Sequence, residues 1–356
     1  MRVNIPALYL NKLQEIFPEE MSDALEGNSL TAQRAYQSMI KKARLKHSRD
    51  TLLSCLLNYL SGLAHYEGGQ YKKAVAYQME ALNFAAACGD EKMGIRCRCA
   101  LSEALLAMGE HLRSYQAAND ALNEASRLKT GEQTALYALG KWHYETGNSR
   151  KAASMLKKAL KSLGGESFTE KEEIILALGW ACYRNGDYEG ASRCTDMIED
   201  YGKLPRREVP MLLCLDMFID IKKGESEQLV FDFDALSSWI GQLQREDYGK
   251  LPDMTLPLEA FIKAGDAPRI EKLVKLAEGY LSASPDTENS INIHRLKGAY
   301  YSYKKDYRAS SEELAKLTRL LEEYCEVKIA SVRQAYEAMN PGEFSEDTGG
   351  EEGGEQ

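Results

Sequence analysis

The sequence predicts an all-α solenoid of about eight helical hairpins ending in a long C-terminal helix, and three observations carry that expectation. A residue suited to a tight turn recurs at Gly27, Gly69, Gly109, Gly147, Gly186, Gly224 and Gly265, with Lys305 where the eighth turn falls. The successive intervals are 42, 40, 38, 39, 38, 41 and 40 residues, a regularity that 27 glycines in 356 residues do not reach by chance. Small residues keep phase with these turns, and the segments between them carry helical periodicity.

The phases can be read from the turn outward. Seven residues before it stand Gly62, Ser102, Gly140, Gly179 and Gly298; five after it stand Ala32, Ala74, Ser114, Ala152, Ala191 and Ser310. Small side chains at those two positions let antiparallel helices touch. Two after the turn come Tyr71, His111, Tyr188 and Tyr307, rings that would plug the space beside the crossing. The Ala-Leu pairs at 81–82, 121–122 and 159–160 would face the next hairpin. No such hairpin buries its apolar stripe alone, so stacking along the chain makes the core.

These residues resemble the tetratricopeptide repeat (TPR) family, whose pattern runs L-G-x-x-Y-x-x-x-G-x-Y-x-x-A…A-L. The match is good at Leu60 to Leu82, Leu139 to Leu160, Leu178 to Ala191 (LGWACYRNGDYEGA) and Lys297 to Ser310, and fair at Leu101 to Leu122. Around Gly27, Gly224 and Gly265 only the turn and the helical periodicity remain. The period exceeds the family's usual ~34 residues, which implies longer helices or longer connections. The resemblance implies a right-handed superhelix, TPR-like throughout, with the first helix of each hairpin lining a concave face. The chain looks most like the TPR arms of bacterial signalling proteins.

Taken in order, residues 1–339 form the solenoid. Residues 1–53 read as an irregular N-terminal cap and first repeat, with Pro6 and Pro18 breaking any long helix and Ser29 to Arg44 the first regular one. Repeats fill 54–307. Thr169 and Glu172 have the spacing of a capping box after the Gly164-Gly165 break. The heptapeptide Glu-Asp-Tyr-Gly-Lys-Leu-Pro occurs at 199–205 and again at 246–252, where it reads as a helix-stop cassette or a pair of equivalent docking loops. From Leu204 to Pro257 the ladder is weakest and Pro205, Pro210, Pro252 and Pro257 intrude, so a local irregularity or hinge is expected. Residues 308–339 form a long helix with a stripe of Leu314, Leu317, Leu321, Tyr324, Val327 and Val332, either capping the open end or connecting to a partner. Residues 340–356, rich in Gly and Glu, are too polar to order and read as a disordered acidic tail.

Composition narrows function. Net charge is −9, and the last 17 residues carry six acidic groups without a Lys or Arg. That balance disfavours non-specific binding to nucleic acid or anionic membranes. Apolar runs such as Leu52 to Ala64 and Val209 to Ile221 are short and interrupted by Asn58 or Asp216. The N-terminus lacks a signal-peptide core, no Asn-x-Ser/Thr sequon occurs, and eight cysteines show no paired spacing. A cytoplasmic protein with reduced thiols is expected.

No reaction announces itself. Phosphate-cradling glycine motifs are missing, Cys97 and Cys99 point away from each other on a helix, and His47, His65, His111, His143 and His294 are scattered. Neither cofactor nor metal is expected, and the chain reads as non-enzymatic. Lys41, Lys42, Arg44, Lys46 and Arg49 cluster where cations complement a helix C-terminus.

The resemblance allows the concave face to be read by phase, at ten, six and three residues before each turn. Those positions give Tyr59, Leu63 and Tyr66; Cys99, Glu103 and Leu106; Tyr137, Lys141 and Tyr144; Leu176, Trp180 and Tyr183; Cys214, Phe218 and Ile221. Arg184 and Lys222 follow on the rim. Tyr137, Lys141, Tyr144, Trp180, Tyr183, Arg184, Phe218 and Lys222 are therefore the candidate groove residues, suited to a peptide with apolar and acidic groups. The Lys-Asn-Asn-Lys-Arg clamp that some TPR proteins use for a C-terminal carboxylate is not matched. The expectation is a scaffold binding a protein or peptide. The alternatives the resemblance implies are a sensory module whose output partner acts in trans, or a peptide-pheromone receptor.

Overall fold

The structure, a computed structural model, describes residues 7–26, 29–47, 49–163, 171–198, 201, 204, 208–243, 251–283 and 287–339. Among these lie seventeen α-helices and no strand. A first helix, α1 (Ala7–Ile16), precedes eight pairs: α2 (Pro18–Glu26) with α3 (Ser29–Lys46), α4 (Thr51–Glu67) with α5 (Tyr71–Cys88), α6 (Glu91–Ala107) with α7 (His111–Leu128), and α8 (Glu132–Glu145) with α9 (Ser149–Lys161). Then come α10 (Lys171–Arg184) with α11 (Tyr188–Asp196), α12 (Val209–Lys223) with α13 (Ser226–Gln242), α14 (Thr255–Ala264) with α15 (Ala267–Ala283), and α16 (Thr287–Tyr303) with α17 (Tyr307–Met339).

One turn chemistry repeats seven times. Gly69, Gly109, Gly147, Gly186, Gly224, Gly265 and Lys305 all take a left-handed backbone, with φ between 61° and 87°. In each case the next residue's N–H reaches back to the carbonyl five residues earlier: Gln70 to His65, Glu110 to Leu105, Asn148 to His143, Asp187 to Cys182, Glu225 to Asp220, Asp266 to Phe261 and Asp306 to Tyr301, at 2.8–3.0 Å. That is the Schellman closure of one helix. Where the next residue is Asn148, Asp187, Asp266 or Asp306, its side chain also accepts the N–H three residues on and starts the second helix. Stop and start signals thus occupy adjacent residues.

The crossings bear out the small-residue phases. Ser102 and Ser114 each donate to the other's backbone carbonyl, at 2.9 and 2.8 Å, and Ser310 donates to the Gly298 carbonyl at 2.9 Å. A Cβ on Gly140 would stand 2.7 Å from Leu156 Cγ. Ala81, Ala121 and Ala159 are fully buried, with the following leucines half-buried.

Curvature follows from which helices meet. The first helices α4, α6, α8, α10, α12, α14 and α16 each pack on the next of their kind, forming a continuous inner layer. Among the described residues, the only successive second helices to make a comparable contact are α13 and α15. The buried side chains fall into three successive clusters rather than one shared centre, as a stack of hairpins requires.

Several details differ from the sequence reading. The N-terminal cap is regular: α1 and α2 fill it, and Pro18 opens α2, where a missing N–H costs nothing. Pro210 and Pro257 sit in the first turns of α12 and α14 for the same reason. The weak stretch holds α12 and α13, of ordinary length at 15 and 17 residues, flanked by the shorter α11 and α14 of 9 and 10. Of the duplicated heptapeptide, Leu204 and Leu251 are both buried in the same core cluster; most of the rest lies outside the described residues, as do Gly27, Thr169 and the segment 340–356. Tyr307 is exposed, with no further hairpin among the described residues to cover it.

Candidate functional site

The inner layer places the phase-predicted side chains of α6, α8, α10 and α12 in one continuous row. Lys141 Nζ reaches back one hairpin to Glu103 Oε2 at 2.7 Å and lies 5.2 Å from the centre of the Tyr137 ring. Burial works against the Lys141 charge, yet the Glu103 carboxylate prevails and the ammonium is held well above its usual range. Tyr137 is itself buried, which drives its hydroxyl pKa upward.

The next step is Arg184 on Tyr144. The guanidinium stands 3.8 Å from the ring centre and Nη1 donates to the Tyr144 carbonyl at 3.3 Å. Arg184 is exposed and Tyr144 half-buried, so this pair presents a flat, charged surface to solvent. Beyond it Trp180, Tyr183 and Phe218 form a triangle with centroids 5.7–6.0 Å apart, Trp180 meeting the other two edge-to-face and those two tilted on each other. Tyr183 also meets Tyr188, the ring two past the turn, at 5.4 Å. Burial, with Tyr188 adding to it, raises the Tyr183 pKa to about 12.

The row is less open than its sequence suggests. Tyr137, Trp180 and Phe218 are only 6, 7 and 6 % exposed, the last two because rings at equivalent phases of adjacent hairpins pack on each other. Exposed or half-exposed surface is left to Lys141, Tyr144, Tyr183, Arg184 and Lys222. Among the described residues the buried Trp180 indole N–H meets no acceptor, an unusual state for a buried donor.

Next to the row lies a feature that the phases did not reveal. Asp220 on α12 and Asp232 on α13 are both buried and face each other, Asp232 also accepting from Gln228 Nε2 at 3.1 Å. Burial first, and the like charge of Asp232 with it, pushes Asp220 up to about 8. Asp216, one turn earlier, is raised to about 7 by burial despite its hydrogen bond to Thr195. A signal existed, since Asp220 holds the phase occupied elsewhere by the buried His65, His143 and Cys182. Among the described residues no three His, Cys, Asp or Glu side chains are arranged to hold a metal ion, and no helix is long and apolar enough to cross a membrane.

Fold and row together define a class: a TPR-like helical-hairpin solenoid with an aromatic and cationic inner face. No family model and no curated protein matches the chain. Among solved structures it is similar to the apo form of the quorum sensor NprR from B. thuringiensis, with a TM-score of 0.58 at 14 % identity over 87 % of this chain and 92 % of that one. It is also similar to a Rap protein complexed with competence and sporulation factor (TM-score 0.54, 15 % identity, 92 % of this chain and 82 % of that one). A third is the Rap conjugation gene regulator of plasmid pLS20 in complex with the Phr* peptide (TM-score 0.53, 14 % identity, 90 % and 79 %). At such identities the likeness is one of fold.

Proposed function

We propose that this chain is a non-enzymatic cytoplasmic scaffold that binds a peptide, or an extended segment of a protein, along its inner face. The observation that carries the reading is the Arg184–Tyr144 stack with Lys141 and Lys222 on either side: aromatic surface beside cations on a rigid layer of helices. Such a surface suits a ligand with apolar side chains and carboxylates. The likeness to Rap and NprR structures, one of the former solved with the Phr* peptide and another with competence and sporulation factor, supports a receptor for a short signalling peptide over a passive scaffold. A module that reports to an output protein in trans, as in bacterial signalling systems, is the second reading; the same fold likeness favours it.

The choice of variant matters. Trp180→Ala would open a hole in a packed triangle and cost about 3–5 kcal/mol, so its loss of binding would say little. Arg184→Ala with Lys222→Ala removes exposed groups instead. Affinity purification from the native cell should recover a partner with the wild type and lose it with the double variant. Equal recovery by both would remove the inner face from consideration.

A further inference from the structure

The last helix does something its hairpin partner does not explain. After Leu317 it leaves the solenoid: none of residues 318–334 is buried, and Val327 and Ile329 are 72 and 64 % exposed. Of the expected apolar stripe, Leu314 and Val327 are exposed and Leu321, Tyr324 and Val332 only half-buried. Then the helix touches down again, on hairpins some 200 positions earlier in the chain. Ser331 Oγ donates to the Gly109 carbonyl at 2.9 Å, Ala335 is fully buried, and the Tyr336 ring meets Trp142 at 5.5 Å. Helix α17 packs on α7.

The place of contact is built to receive something. Trp142 is fully buried, its indole N–H held by the His111 carbonyl at 2.8 Å and its ring flanked by Tyr115 and His143 at 5.1 Å each. The Gly109 carbonyl is a turn carbonyl left over once α6 has closed. On α17 the residues that turn toward this seat, Tyr324, Lys328, Ser331 and Ala335, follow three-and-four spacing along one face. An exposed helical stretch of that length is marginal in water by itself, so its helicity depends on the docking at its far end.

We propose that the edge formed by the Gly109 turn, His111 and Trp142 is a helix-binding seat, separate from the inner row, whose ligand is the distal part of α17 (residues 322–339). This segment is an intramolecular ligand that undocks as a unit while the hairpins stay folded. Docked, it closes the hairpins from α6 to α17 into a loop; undocked, it leaves an open solenoid and a vacant seat for an amphipathic helix. The segment belongs to the low-stability end of the molecule because few of its side chains are buried.

The test uses the full chain and a fluorescein-labelled synthetic peptide of residues 322–339. Ala335→Arg places a charge in the seat and should release the tethered helix. Hydrogen exchange should then lose its protection across 322–339 alone, with α7 and α8 unchanged. The vacated seat should bind the labelled wild-type peptide at least about tenfold more tightly than the wild-type chain does, since the tethered competitor is gone. A labelled peptide carrying Tyr336→Ala, which lacks the ring that meets Trp142, should lose that gain. Equal peptide binding by wild type and Ala335→Arg, or loss of protection in α7 and α8 together with α17, would overturn the proposal. Should Ala335→Arg not fold, Tyr336→Ala serves the same comparison.

Discussion

Leu156 covers Gly140 so closely that a single added methyl would collide with it, at 2.7 Å from Cγ. The same seat is occupied by Gln78 over Gly62 and by Leu314 over Gly298. In the hairpin of α6 and α7 the residue is Ser102, which has a Cβ, and the covering position holds Ala118 rather than a long side chain. The two positions trade volume. Gly140→Ala should therefore cost about 1–3 kcal/mol through overpacking, and Leu156→Ala in the same chain should recover part of it; urea unfolding followed by circular dichroism reads both. Gly179, under Leu215 Cδ2 at 2.8 Å, should respond to Gly179→Leu at least as strongly. At Lys305 the argument runs the other way. It holds a left-handed backbone (φ 61°) where six other turns have glycine, so Lys305→Gly should raise stability by about 1 kcal/mol. The small-residue spacing was plain in the sequence because both members lie a fixed distance from a turn. The covering residue was not, since nothing in one strand of letters says which long side chain lies over which gap.

Among the elements, the pair α12 and α13 departs most from its fellows. From α4 onward the residues at this phase of the other hairpins are neutral or apolar; here a buried carboxyl pair stands instead. Asp220 is raised to about 8 and Asp216 to about 7, so the folded state holds protons that the unfolded chain releases near pH 4. The stabilisation is complete below that range and is lost as pH climbs through about 8. Buried histidines act in the opposite sense. Burial, aided by Lys151, holds His143 down to about 4, and burial lowers His65 and His111 as well. Their stabilisation is present above about pH 6.5 and is lost as pH falls. The melting temperature should peak near pH 6.5, where the histidines cease to oppose the loss, and Asp220→Asn should lessen the pH dependence all the way from about 4 to about 8. An unchanged alkaline slope would place the protons elsewhere. From sequence, Asp216 reads as no more than a polar break in an apolar run, because its desolvation depends on neighbours from other hairpins, Thr195 of α11 among them. Pro210 and Pro257 mislead for a related reason: a proline in a first turn and one in mid-helix look alike until the helix start is fixed.

On the scale of the whole molecule, the stack and its inner layer were legible because the period recurs along nearly the whole chain. What the period could not show was the return of α17, since Ser331 and Gly109 are joined across 222 residues and no repeat encodes that contact. Nor could it show that phase-equivalent rings would bury one another, which moved the accessible part of the inner face from Trp180 and Phe218 to Arg184 and Tyr144. The central claim is that this face receives a peptide. Its most direct measurement is a thermal-shift survey of short peptides against the full chain, with Tyr144→Ala/Arg184→Ala alongside. The account predicts that a peptide bearing apolar and acidic side chains raises the wild-type melting temperature, while the variant melts normally alone and gains nothing from it. A shift of equal size in the variant would contradict the account, as would no shift in the wild type across the whole panel.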